Sequence, residues 1–295
     1  MTIGVAGLGR MGLAITKRLI EVGHDVVVWN RTAGRTKVAQ DAGATTAATP
    51  TELARRCETI ITILTDAAAI DSVYHGKDGL LARDVRGKLF IDMSTVRPET
   101  EVALAAKVST KDAVFVECPV GGTVGPALNG KLLGLAGGAP ADFERARPLL
   151  EQLCRRVDLA GPVGSGSSLK LAVNLPLAVF WQAFGESYAL CRHLGLDANM
   201  LVELFGETSG GPNVLRARGG AVALALQGKE PGSATFDCDS MRKDLRTMVA
   251  EAKSRGFGLP LAETTLQVFD EASRQGWGGR DCVEMPAYWS NAHNK

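Results

Sequence analysis

Up to about residue 160, the apolar residues come in short unbroken runs separated by amphipathic stretches; beyond that point their spacing is helical almost throughout. Runs at 3–6, 25–29, 59–64, 88–93, 113–117, 132–136 and 156–159 predict strands buried on both faces, as in a parallel sheet. Between them, Met11, Leu13, Ile15, Leu19 and Ile20 recur at helical spacing until Gly23. Residues 52–57, a segment opening at Pro98 and residues 140–153 read as further helices. Residues 118–127 read as a loop. The second part predicts helices over 169–194, 198–205, 214–226, 240–255 and 261–275. The first of these is apolar enough on most sides to be buried like the central helix of a bundle, with Pro176 kinking it just past Asn174.

The first strand runs directly into Gly7, Leu8, Gly9, Arg10, Met11 and Gly12, a G-x-G-x-x-G that opens a helix and is followed by a second strand. In that context the glycines predict a dinucleotide site, where bare backbone and a helix amino terminus receive a pyrophosphate. The fold class expected is therefore α/β. A Rossmann-type doubly wound sheet over 1–162 is joined by a long interdomain helix to an all-α domain over 163–295. At the end of the second strand stand Asn30, Arg31 and Thr32, where NAD enzymes usually carry an acid for the ribose 2′-hydroxyl. A carboxylate repels a 2′-phosphate, whereas Arg31 can grip one, with Arg35 a turn on; this predicts NADP. The plainer alternative is a surface arginine.

Around the domain junction, Gly161, Gly164 and Gly166 form a pliable loop, after which Ser167 or Ser168 is expected to cap a helix. That helix carries Lys170 and Asn174, four residues apart and so on one face. An amine and an amide aimed together from a first turn suit work on a carbonyl oxygen; one more solvated lysine is the plainer alternative. Leu64, Thr95 and the loop of Gly121, Gly122 and Thr123 fall at carboxyl ends of strands, where ligands gather in open α/β sheets. Gly121–Gly122–Thr123 offers backbone N–H groups and a hydroxyl to a small anion; a mobile glycine turn is the alternative.

Composition narrows the class. A hydrophobic content of 45% and a net charge of +1 describe a globular chain with no general attraction to nucleic acid or anionic membrane. Six scattered cysteines without a CxxC pair, beside four histidines, argue against a zinc site or a disulfide framework. With no basic region leading into a removable apolar segment and no membrane-length apolar run, the cytoplasm is the expected location.

Taken together, these motifs resemble the β-hydroxyacid dehydrogenases (3-hydroxyisobutyrate dehydrogenase-like), most closely the glyoxylate/succinic semialdehyde reductase branch. The resemblance rests on the glycine loop, Trp29 to Thr32, Asp92 to Val96, Pro119 to Thr123, Gly161-x-x-Gly-x-Gly with Lys170 and Asn174, and Lys243 with Asp244. It implies that Thr95, Gly121, Gly122 and Thr123 touch the substrate anion, that Lys170 moves the proton with Asn174 beside it, and that Phe236 and Asp244 close the pocket. The resemblance further implies that Lys243 lies over the cofactor and that the helical domain makes a homodimer or homotetramer. The activity implied is NADPH-dependent, reversible reduction of a small anionic aldehyde or oxo acid to the hydroxy acid, without a metal. An imine reductase and a non-catalytic NADP-binding scaffold are the rival readings; Lys170 argues against the first. One departure stands out: Gly121 takes the place of the family's usual serine. This removes one donor to a carboxylate and makes room for a phosphonate or sulfonate.

Overall fold

A computed structural model describes residues 1–292 and divides the chain into two compact units, Met1–Leu171 and Ala172–Lys295. The division falls inside a long helix, not before it, so Lys170 belongs to the first unit and Asn174 to the second.

The first unit is a sheet with helices on its faces. In chain order it contains β1 (Thr2–Ala6), α1 (Arg10–Glu21), β2 (Asp25–Trp29), α2 (Thr36–Asp41), β3 (Thr45–Thr46), α3 (Pro50–Arg56), β4 (Thr59–Thr62), α4 (Ala67–His75), β5 (Leu89–Asp92), α5 (Pro98–Ser109) and β6 (Val114–Glu117). Then come β7 (Val120–Gly121), α6 (Val124–Leu128), β8 (Leu132–Gly137), α7 (Pro140–Leu153), β9 (Cys154–Gly161) and the start of α8 (Ser165–Cys191). The strand order is β3-β2-β1-β4-β5-β6-β8-β7, with β9 pairing β8. Through β6 all pairings are parallel; β8 runs antiparallel to β6 and β7. The order reverses between β1 and β4, which opens a crevice at their carboxyl ends.

Alternation along each strand sorts the core. Ile3, Val5, Ile61, Ile91 and Val116 face α1 and α7, while Ile60, Phe90 and Phe115 face the opposite side with Leu53, Tyr74 and Leu104. Each such fully buried side chain contributes about 1.5–3 kcal/mol of transfer energy.

The stretch 118–127 is not the plain loop expected. Val120 and Gly121 pair with Gly134 and Leu133, and a short helix follows Thr123. Ladder pairing by so short a strand leaves no alternating pattern long enough to read. The cap of α8 also differs from expectation. The helix begins at Ser165, ahead of both Ser167 and Ser168; Ser167 points to Glu117, and Ser168 Oγ bonds back to the Gly164 carbonyl.

The second unit is helical. After the rest of α8 come α9 (Ala198–Glu207), α10 (Asn213–Leu226), α11 (Cys238–Ser254), α12 (Pro260–Ala272) and α13 (Met285–Ala292). α8 continues through Pro176 as one helix. Close packing rests on small residues: a Cβ at Gly185 would lie 2.2 Å from the Trp289 ring, and one at Gly219 would lie 2.5 Å from Val202. Trp289 Nε1 donates to Gln182 at 2.9 Å. Phe184 stacks on Phe180 and meets Phe205 edge-on. α8 is not covered all round as expected. Leu169, Ala172, Val173, Pro176, Ala183 and Leu190 are exposed, forming an apolar stripe along it.

Candidate active site

The glycine loop is built by steric demand. Gly7 holds φ at +101°, and a Cβ there would sit 2.3 Å from the Ile63 carbonyl; one at Gly12 would sit 1.9 Å from the Gly7 carbonyl. Those two glycines allow strand, turn and helix to touch. Gly9 is different: a Cβ would meet nothing within 4 Å. Its bareness serves no internal packing and leaves the amino terminus of α1 approachable. That helix start has no side-chain cap and no acidic residue in its first turn, which suits an anion there. Arg10 and Met11 open the helix, exposed and half-buried respectively.

Asn30 proves to be a tie. Its Oδ1 accepts from the Leu8 N–H at 2.9 Å, and its Nδ2 donates to the Thr32 carbonyl at 2.9 Å. The end of β2 is thereby fastened to the glycine loop, and Arg31, Thr32 and Arg35 are exposed beside it. No carboxylate occupies the 30–32 segment. These residues fit a nicotinamide dinucleotide carrying a 2′-phosphate.

Across the switch point, the ends of β4 and β5 are locked together. The Leu64 N–H donates to Ser94 Oγ at 2.9 Å, and the Ser94 N–H donates to Asp92 Oδ1 at 2.7 Å. Asp92 also accepts from Thr62 Oγ1, which is 2.8 Å from the Tyr74 hydroxyl. Asp92 is fully buried, and so is Glu101 on α5. Burial pushes both carboxyls up, Glu101 well above its ordinary range, with the Asp92 charge adding to it. Thr95, half-buried, follows directly at this strand end.

At the next strand end, Gly121 has ordinary backbone angles, and a Cβ would lie 3.5 Å from Leu133, a normal contact. A side chain is therefore sterically tolerated at 121. Gly122 is not replaceable: φ is +121°, and a Cβ would press to 2.9 Å from Leu132. Thr123 stands at the N-cap of α6, yet its hydroxyl makes no cap bond.

Lys170 and Asn174 lie on consecutive turns of α8, each buried to 8% exposure. The helix start that leads to them is held by a residue the sequence reading passed over. Glu117, the last residue of β6, is fully buried, and its carboxylate receives Gly164, Gly166 and Ser167. A single acidic residue closing an apolar strand run was the available signal.

Within the second unit, Asn174 Nδ2 donates to Asp244 Oδ2 at 3.0 Å, and Lys243 Nζ pairs with Asp244 Oδ1 at 2.6 Å. Phe236, half-buried, sits in a segment organised by Asp281, another residue not anticipated. One Asp281 oxygen accepts from the Thr235 N–H at 2.7 Å, Thr235 Oγ1 at 2.9 Å, the Phe236 N–H at 3.4 Å and Arg218 at 3.0 Å. Although burial opposes it, these donors, with the Val283 N–H and the Arg218 charge, hold the Asp281 carboxyl below its usual range.

Among the described residues, no group of three or more His, Cys, Asp or Glu side chains is placed to hold a metal, and no helix is long and apolar enough to cross a membrane. All six cysteines are free thiols.

Residues 2–161 match the family model for the NAD binding domain of 6-phosphogluconate dehydrogenase. Residues 164–289 match that for the NAD-binding domain of NADP-dependent 3-hydroxyisobutyrate dehydrogenase. The chain is 32% identical to glyoxylate/succinic semialdehyde reductase 1 of Arabidopsis thaliana, over 95% of this chain and 96% of that one. The solved structure of Psf3 in complex with NADP+ and 2-OPP is 28% identical, covers 97% of this chain and 99% of its own, and superposes with a TM-score of 0.86. An imine reductase from Myxococcus stipitatus in complex with NADP+ shares the fold more distantly, at 22% identity over 97% of this chain and 98% of its own, with a TM-score of 0.65. With the glycine loop, the acid-free end of β2 and both family models in agreement, the chain belongs to the β-hydroxyacid dehydrogenases and is an NADP-dependent oxidoreductase acting on CH–OH groups.

Proposed function

We propose that this protein reduces the carbonyl of a small aldehyde, 2-oxo acid or β-oxo acid that carries an anionic group, giving the hydroxy acid, and that Lys170 delivers the proton. The observation that carries this reading is the placement of a buried amine and a buried amide, Lys170 and Asn174, on successive turns of one helix.

Gly7, Gly9 and Gly12, with Leu8, Arg10 and Met11, would hold the cofactor pyrophosphate, Arg31 and Thr32 its 2′-phosphate, and Leu64, Thr95 and Lys243 the remainder; Asn30 keeps that loop in place. When bound, NADPH supplies the hydride. The acid that the reduction needs is supplied by Lys170 in its ammonium form. Its Nζ stabilises the developing oxyanion and then gives it a proton. Asn174 holds the reacting oxygen or the amine beside it. Thr95, the backbone N–H of Gly122 and the Thr123 hydroxyl hold the substrate anion, with Gly121 lining the space beside them. Without a serine at 121, these donors also suit a tetrahedral phosphonate or sulfonate. The apolar stripe on α8 supports a homodimer or homotetramer formed through the helical unit.

Consumption of NADPH with glyoxylate, succinic semialdehyde, matched phosphonates and cyclic imines tests the reading. Turnover of the anionic carbonyl compounds is expected. Turnover of imines alone would support an imine reductase, and none at all a cofactor-binding scaffold. Because a side chain fits at 121, Gly121→Ser is expected to shift selectivity toward carboxylates several-fold, about 1 kcal/mol. Unchanged selectivity would show that residue 121 does not set the head group.

A further inference from the structure

The buried carboxylate of Glu117 belongs to none of the binding or proton-transfer roles above. Oε1 accepts from the N–H groups of Gly164 and, at 2.9 Å, Gly166. Oε2 accepts from the Ser167 N–H at 3.2 Å and from its hydroxyl at 2.6 Å. A helix start leaves backbone N–H groups without partners inside the helix, and a cap is ordinarily supplied by the residue just before it. Here the cap comes from a strand 47–50 residues earlier in the chain, so it fastens the helix to the sheet as well as completing its hydrogen bonds. The negative charge also suits the positive end of the helix.

Two glycines make the arrangement possible. A Cβ at Gly137 would fall 2.2 Å from Glu117 Oε1, and one at Gly166 would fall 2.2 Å from the Leu135 carbonyl on β8. Bare backbone on both sides lets the carboxylate and the first turn of α8 seat against the sheet. Ser167, Lys170 and Asn174 follow at i, i+3 and i+7, one stripe of the helix. On the other side, β6 ends at Glu117 and the chain reaches Gly121 four residues later. The same strand end therefore locates both the anion loop and the helix that carries Lys170.

We propose that Glu117 is a positioning residue: its carboxylate fixes the first turn of α8 to the end of β6 and so sets the placement of Lys170 relative to the Gly121–Thr123 loop. This rests on the reading of Lys170 as proton donor. A helix shifted by about 1 Å would still fold and bind, yet reaction geometry lost on that scale costs up to about a hundredfold in rate.

The test uses NADPH and succinic semialdehyde with four variants: Glu117→Gln, Ser167→Ala, Lys170→Met and the double variant Glu117→Gln/Lys170→Met. Glutamine keeps the volume but turns an NH2 group toward N–H donors. The expected result is a fall in kcat of about tenfold or more for Glu117→Gln, with substrate KM and NADPH Kd within about threefold of the parent. Ser167→Ala, which removes one donor and leaves the carboxylate, should lower kcat by about threefold and carries the comparison should the glutamine variant not fold. In the Lys170→Met background, Glu117→Gln should cost little more, since the group it positions is gone. Three results would overturn the proposal: normal kcat in a folded Glu117→Gln protein, normal kcat in Ser167→Ala where the glutamine variant does not fold, or an equal fractional loss with and without Lys170. An inactive Lys170→Met beside a normal Glu117→Gln would remove this inference alone. Full turnover by Lys170→Met would remove the reading of Lys170 and this proposal with it.

Discussion

Asp244 orients the amide of Asn174: Nδ2 donates to Oδ2 at 3.0 Å, while the other carboxylate oxygen takes Lys243 Nζ at 2.6 Å. An amide that donates through Nδ2 presents Oδ1 as its acceptor. Asp244 is 3% exposed, so its carboxylate is held by these partners with little help from water.

Asp244→Ala removes the acceptor that sets this orientation. The expected outcome is a folded protein with kcat/KM lowered about ten- to a hundredfold, matching the 1.5–3 kcal/mol of a charged hydrogen bond. Steady-state kinetics and circular dichroism check it together; unchanged kcat/KM would show that Asn174 does not need this orientation.

Arg31→Ala should weaken NADPH by roughly ten- to a hundredfold and leave NADH nearly unaffected. Fluorescence titration of both cofactors against parent and variant makes the comparison. Equal weakening of the two would mean that Arg31 does not meet the 2′-phosphate.

The buried pair of Asp92 and Glu101 makes a prediction about stability. Both carboxyls are raised in the folded state, so that state binds protons more readily than the unfolded chain. Stability from this source is present below the ordinary carboxyl range and is lost as pH rises toward the raised folded value, by at most about 1.4 kcal/mol per pH unit for one proton. Glu101→Gln replaces the titrating group with a permanent donor. Its melting temperature should decline less steeply than the parent's as pH rises above the ordinary carboxyl range, and equal slopes would contradict the account.

Much of the first unit was legible in the sequence because buried parallel strands are plain apolar runs; the second strand's limits, Asp25–Trp29, coincide with the run that marks it. Thr45 and Thr46, the short pairing of Val120 with Gly134, and α4 carried no such signal. Two-residue strands are specified by their neighbours, and α4 opens in an alanine run that has no contrast between faces. The glycine loop was readable because steric demand restricts it to glycine at set spacing. Glu117 and Asp281 were less so, since each accepts from backbone distant in sequence: an acid closing an apolar run marks a buried carboxylate at Glu117 but not the N–H groups that donate to it. The sequence marks Asn30 by its place at the end of the second strand but not the two hydrogen bonds by which its amide also holds Leu8 and Thr32.

The most direct test of the central claim is single-turnover reduction of succinic semialdehyde by NADPH-loaded parent and Lys170→Ala proteins, followed by the loss of NADPH absorbance, with NADPH Kd measured on both. The account predicts an unchanged Kd and a rate lowered about a hundredfold or more, with Lys170→Arg failing to restore it because a guanidinium is a poor proton donor of different shape. A Lys170→Ala protein that binds NADPH normally and keeps more than about a tenth of the parent rate would contradict it, because general acid catalysis of this kind is worth at least ~100-fold.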